Sequence, residues 1–265
     1  MTRRDRGNRG HARTAVLAFA RIPRSRERGD RTGQTAPTPA ANPGPGRLRV
    51  RPGPPISPAS TTGLLPLDGP TGELLALAYV PAPVDGRAYQ LVLLFHGAGG
   101  SPRHGLDLLR PVADAHRFLL VAPKSAGTTW DLIVDGFGVD VRRVDRVLEE
   151  ILDSYPVSEM FIGGFSDGAS YALTLGLTNG DLFDAVLAFS PGFAAPMVVH
   201  GRPRIYISHG VGDRVLPIDT CSRQLVSRLT SLEYDVTYQE FDGGHEVPES
   251  VLERGVSWLL GAPVG

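Results

Sequence analysis

Met160-Phe161-Ile162-Gly163-Gly164-Phe165-Ser166-Asp167-Gly168-Ala169-Ser170-Tyr171-Ala172-Leu173 carries an apolar, strand-like run through Gly-x-Ser-x-Gly into a helix-like run. Glycines on both sides of the serine leave room for a sharp strand-to-helix turn. Such a turn exposes the hydroxyl and points the following helix's positive dipole end at it. A serine so placed is a candidate nucleophile. The motif is short, so its weight comes from what surrounds it.

Outward from this stretch, strands are expected at Leu74–Val80, Gln90–Phe95, Phe118–Ala122, Glu159–Gly163, Ala185–Phe189, Arg204–Ser208 and Asp235–Phe241. Helical spacing covers Leu106–His116, Val141–Ser154, Asp219–Ser231 and Glu249–Leu260. Strands alternating with helices of this length predict an α/β fold: a doubly wound, mostly parallel sheet with helices on both faces. Its ligands bind where loops converge at the carboxyl ends of the strands. Only about a dozen residues separate Ser190 from Arg204, so no large lid domain is expected.

The 265 residues carry 27 basic and 28 acidic side chains, a net charge of -1. That near-balance gives no reason to expect a nucleic-acid or membrane partner. It hides an asymmetry: residues 1–60 hold 13 arginines against 3 acidic residues, and the remainder is acidic by 11 charges. Residues 1–60 are also rich in Gly and Pro and poor in apolar periodicity, which predicts a disordered tail ahead of a catalytic domain at 61–265. Arg3-Arg4 and the island Ala15–Ala20 faintly resemble an export signal, but the island is short and Arg21 follows it. A cytoplasmic protein is therefore expected. No segment is long enough to span a membrane. The single cysteine, Cys221, excludes a disulfide framework and a cysteine metal site, and it is expected to be a buried thiol.

A serine nucleophile needs a base and an acid to orient that base. Of seven histidines, His245 stands in the loosened loop Gly243-Gly244-His245 between the last strand and last helix, and is the expected base. His96 and His209 each end a strand and precede a glycine. Asp213, in the loop after Arg204–Ser208, is the expected acid, with Asp242 as its rival only three residues from His245. The order Ser166, Asp213, His245 is the one this architecture uses. Backbone N–H donors for an oxyanion are expected at Asp167 and at Ala98, in His96-Gly97-Ala98-Gly99-Gly100. Trp130 and Phe193 are candidates to wall the substrate pocket, packing aromatics being the alternative reading.

Taken as an ordered set, His96-Gly97-Ala98-Gly99-Gly100, Gly164-Phe165-Ser166-Asp167-Gly168, His209-Gly210 with Asp213 and Pro217, and Gly244-His245 resemble the α/β-hydrolase superfamily from about Gly63 to Leu260. Within it the chain resembles compact phospholipase/carboxylesterase and polyhydroxyalkanoate-depolymerase-like esterases. The resemblance implies hydrolysis of a small-molecule ester through an acyl-enzyme, with no metal or organic cofactor. A long-chain lysophospholipase or acyl-thioesterase is the alternative, and a non-catalytic binding protein on the same scaffold the remote one. Asp167 departs from the Gln, Met or small residue of many relatives. Its carboxylate is expected either to stabilise a protonated His245 or to move the pH optimum. Oligomeric state is not readable from the sequence.

Overall fold

The computed structural model describes residues 44–84, 86–134 and 136–261. The tail up to residue 43, with Arg3-Arg4, His11 and the Ala15–Ala20 island, lies outside the described residues. Eight strands occur at Gly63–Asp68 (β1), Leu74–Val80 (β2), Tyr89–Phe95 (β3), Phe118–Pro123 (β4), Val157–Phe165 (β5), Ala185–Phe189 (β6), Arg204–Gly210 (β7) and Val236–Phe241 (β8). They form one sheet in the order β1-β2-β4-β3-β5-β6-β7-β8. From β4 to β8 every pairing is parallel, while β1 and β2 run antiparallel at one edge. Every residue of β4 and β6 is buried, because a parallel sheet is covered on both faces.

The helices are Pro102–Asp107 (α1), Ala113–His116 (α2), Asp131–Val134 (α3), Val139–Ser154 (α4), Asp167–Thr178 (α5), Ser222–Ser231 (α6) and Glu249–Leu259 (α7). In α4, Val144, Val147, Leu148 and Ile151 recur at helical spacing and are all buried on the sheet. Val144, Leu173 and Leu225 from α4, α5 and α6 join one core, and Leu106 with Val251 and Val256 from α1 and α7 joins the other. No element is inserted between β6 and β7. No helix among the described residues is long and apolar enough to cross a membrane.

Three expectations are corrected. The single helix at Leu106–His116 is broken into α1, a 3-10 turn at Arg110–Val112 and α2. Pro111 lacks the N–H that a continuous helix needs, and Arg117 ends α2 with a left-handed φ of 58°. The helix expected from Asp219 starts at Ser222, because Thr220 and Cys221 first turn back on the Pro217 carbonyl. The domain also begins before residue 61. Residues 44–60 form no helix or strand, yet Leu48 is 1% exposed and packs into the core.

Asn179, at the end of α5, holds that segment. Its Oδ1 accepts from Leu48 N–H at 2.9 Å, and its Nδ2 donates to Gly46 O and Leu175 O, each at 2.9 Å. Arg47 adds an ion pair with Asp181 and donates to Thr178 O at 3.2 Å. The Arg47 hydrogen bonds hold the Asp181 carboxyl down to about 2. Replacing Asn179 with Ala would strand buried donors and acceptors on both segments. The expected loss is about 2 kcal/mol or more in urea unfolding, a size normal for unpaired buried polar groups.

Candidate active site

Ser166 occupies the turn between β5 and α5 with φ 58° and ψ −122°, a left-handed conformation that costs an L-residue about 1–3 kcal/mol. The turn is held by Ser166 N–H donating to Phe189 O at 2.9 Å, across to the end of β6. Gly168 is needed here because the chain passes against the end of β3. A Cβ on Gly168 would lie 2.2 Å from Phe95 O and 2.5 Å from His96 O.

The strand ends then bring three distant residues together. Ser166 Oγ donates to His245 Nε2 at 2.8 Å, and His245 Nδ1 donates to Asp213 Oδ2 at 2.6 Å. The Phe165 ring lies over the imidazole with centroids 4.7 Å apart, which fixes its plane. Asp213 is 6% exposed, and its Oδ1 accepts from Val215 N–H at 2.8 Å and Leu216 N–H at 2.9 Å. Burial pushes this carboxyl up. The Leu216 amide, the His245 ring and the Val215 amide outweigh it and hold the group below its ordinary range. Asp242, the rival acid, is exposed, and His245 pairs with Asp213 instead.

His96-Gly97-Ala98 leaves the end of β3 and lies against the serine. A Cβ on Gly97 would sit 3.4 Å from Ser166 Cβ. Among the described residues, neither Ala98 N–H nor Asp167 N–H has an intramolecular acceptor. Both are free to meet a developing negative charge.

The segment Ser125–Trp130 braces these donors. Thr128 O accepts from Gly99 N–H at 2.7 Å, and Trp130 Nε1 donates to His96 O at 2.9 Å. Thr129 Oγ1 donates to Asp167 Oδ2 at 2.7 Å. The base of the same loop is fastened by Asp140, 1% exposed, which accepts from Ala126 N–H at 2.7 Å and Asp131 N–H at 2.9 Å.

Trp130 therefore acts as packing. It is fully buried, stacked on Tyr171 with centroids 5.1 Å apart and edge-on to Phe95 at 4.8 Å. It gives the site no exposed wall. Phe193 is half-buried in the loop after β6, where Ser170 Oγ accepts from Gly192 N–H at 2.9 Å and Phe193 N–H at 3.4 Å. The Asp167 carboxylate is taken by Thr129 and makes no ion pair with His245. Cys221 is buried, and burial raises its thiol. Among the described residues no group of three or more His, Cys, Asp or Glu side chains is placed to hold a metal ion.

Residues 142–259, the stretch containing Ser166, Asp213 and His245, match the family model described as Phospholipase/Carboxylesterase. Esterase PE8 is similar in structure at 22% identity and TM-score 0.58, over 75% of this chain and 100% of that one. The chain has the α/β-hydrolase fold. S-formylglutathione hydrolase FrmB from Staphylococcus aureus superposes with TM-score 0.60 at 15% identity, over 76% of this chain and 98% of that one. Acyl-protein thioesterase 2 from Zea mays gives TM-score 0.52 at 16% identity, over 69% and 97% of the two chains. Comparison with curated proteins gives no match.

The sequence singles out His209 as a strand-end histidine without giving it a role, and it gives no signal for Thr129. His209 is fully buried at the end of β7, with Nε2 2.8 Å from Leu216 O and 3.2 Å from Asp213 Oδ2. Both neighbours are acceptors, so Nε2 carries the proton, and Ser222 Oγ donates to Nδ1 at 2.6 Å. Burial lowers the His209 pKa against the opposing pull of Leu216 O and Asp213, and burial lowers that of His96 as well. For a histidine lowered in the folded state, stability is full above the unfolded value of about 6.5 and falls as pH drops through the folded value. Urea midpoints should therefore decline between about pH 7 and pH 5. The decline should be shallower in His209→Asn; an equal slope in that variant would show that His209 does not titrate in this window.

Proposed function

We propose that the protein hydrolyses carboxylic esters through an acyl-enzyme formed on Ser166. The observation that carries this reading is the relay from Ser166 Oγ through His245 to Asp213, with links of 2.8 and 2.6 Å. In that reading Ser166 Oγ attacks the ester carbonyl as its proton passes to His245 Nε2. The Asp213 carboxylate, held ionised by backbone amides, keeps the His245 proton on Nδ1 and stabilises the imidazolium. Ala98 and Asp167 N–H groups hold the oxyanion. His245 returns the proton to the departing alcohol oxygen. A water then gives its proton to His245 and its oxygen to the acyl carbon, releasing the acid and restoring Ser166.

Two features bear on the substrate. The short β6–β7 connection leaves the site open, which suits small or medium esters. Val211 and Val215, in the loop after β7 that carries Asp213, are exposed apolar side chains. They favour a second reading, a long acyl chain on an ester or thioester. A p-nitrophenyl ester series from acetate to palmitate separates the two, short-chain preference supporting the first and long-chain preference the second. Ser166→Ala should lose roughly 10⁴-fold or more in turnover while keeping its unfolding midpoint. Residual activity near wild type in that variant defeats the proposal, and a well-folded protein inactive on every ester would return the scaffold-only reading.

The Thr129 tether generates a finer test. Thr129→Val releases the Asp167 carboxylate from its one side-chain hydrogen-bond partner among the described residues and loosens one oxyanion donor. With a hydrogen bond worth about 1 kcal/mol, kcat should fall roughly fivefold. KM should change little, and Thr129→Ser should restore most of the rate. A KM effect alone would mean that Thr129 contacts substrate instead.

A further inference from the structure

A cavity of about 850 Å³ lies between the segment 44–49, the first half of α4 and the β1–β2 turn. None of the Ser166 relay lines it. Its walls carry five arginines: Arg47 and Arg49 on one side, Arg142, Arg143 and Arg146 on the other. Arg47 is committed to Asp181. Among the described residues, the other four form no hydrogen bond or ion pair through their side chains.

The acidic side chains of the same walls are largely engaged elsewhere. Asp145 Oδ1 accepts from Arg49 N–H at 2.7 Å and Val50 N–H at 3.1 Å. Glu73 accepts from Thr71 N–H at 3.1 Å and from the Thr71 hydroxyl. Glu149 is the remaining acid. Arg142 and Arg146 stand four apart on one helix face, where like charges repel. Five guanidinium groups against the three carboxylates Glu73, Asp145 and Glu149 leave the lining net positive, and a concave net-positive surface gathers anions. Guanidinium groups match phosphate oxygens in pairs, and the volume is that of a small-molecule site. The half-buried Phe137 ring closes one end and offers an apolar face.

We propose that this cavity binds a compact polyanion, a small molecule carrying two or more phosphate groups. Arg142 and Arg146 hold it from α4, and Arg49 holds it from the opposite wall. An extended nucleic acid is the competing occupant, disfavoured because the arginines converge on a cavity and do not line a stripe.

The test is calorimetric titration of the full chain with inorganic tripolyphosphate at low ionic strength. One saturable site per chain is expected, weakening as salt rises. Arg142→Ala/Arg146→Ala should reduce affinity about tenfold or more, and Arg49→Ala should act in the same direction. Melting temperature and ester turnover should be unchanged in these variants, since the residues are exposed and away from Ser166. The sequence before Gly44 carries ten arginines against three acidic residues, so full-strength binding in the double variant would assign the ligand to that tail and overturn the proposal. No binding by the wild type would overturn it too. So would a short single-stranded oligonucleotide that binds through Arg142 and Arg146 where tripolyphosphate does not.

Discussion

The contact on which this molecule depends is the one between the start of α5 and the end of β3. Gly164 and Gly168 let the backbone of the serine turn come within contact distance of Phe95 O and His96 O. Any side chain at either position would collide with main chain, which cannot rotate away. This contact sets the depth of Ser166 in the sheet and its distance from Gly97. The left-handed backbone at Ser166 is a cost the surrounding structure must outweigh. It does so with the Phe189 carbonyl on one side and eleven buried residues of α5 on the other. Nearly every side chain of α5 is in the core, so the helix cannot shift to relax the turn. Its threonine hydroxyls are satisfied within the helix, Thr174 donating to Ser170 O at 2.8 Å and Thr178 to Thr174 O at 2.7 Å.

The second constraint is electrostatic. Asp213 is a buried carboxylate facing two imidazoles, His245 at 2.6 Å and His209 at 3.2 Å. Both cannot be equivalent. His209 is fully buried and saturated by Leu216 O and Ser222 Oγ, so it stays neutral and fixed. His245 keeps one ring nitrogen toward Ser166 and some exposure to solvent, so it is the imidazole able to exchange a proton. The division follows from environment alone, since the two side chains are chemically identical. Without the amides of Val215 and Leu216, burial would favour the neutral acid, and the distinction between the two rings would weaken.

Much of this was legible in the chain. Strands β2 and β6 were read to the residue because their apolar runs are uninterrupted and flanked by turn chemistry. The positions of Ser166, Asp213 and His245 follow from where β5, β7 and β8 end, since loops at one sheet edge must converge. Other features were hidden for physical reasons. β1 alternates exposed and half-buried residues at an antiparallel edge, so its apolar signal is diluted. Pro111 sits inside a run with good helical spacing, and spacing alone cannot say that the missing N–H wins. Leu48 lies in a segment whose composition reads as tail. It packs only because Asn179, 131 residues away, supplies the backbone's partner. Thr129 and His209 act through contacts between loops, which no local pattern encodes.

Charge shows how far composition misleads at this scale. The chain is nearly neutral, and the residues after 60 are acidic by 11 charges. Yet one turn of α4 gathers three arginines against the segment carrying two more. The loop from Ser125 to Asp140 separates that basic wall from the serine. One end of the loop binds Asp167 through Thr129, and the other reaches the arginine cavity through Phe137 and Gly138. Asp140 and Asp131 pin its middle by four backbone amides, from Ala126, Asp131, Gly138 and Asp140. These bonds build the Thr129–Asp167 contact and one wall of the arginine cavity on a single connected stretch of chain, so the acid-dependent relay and the basic cavity share a support while lining different surfaces.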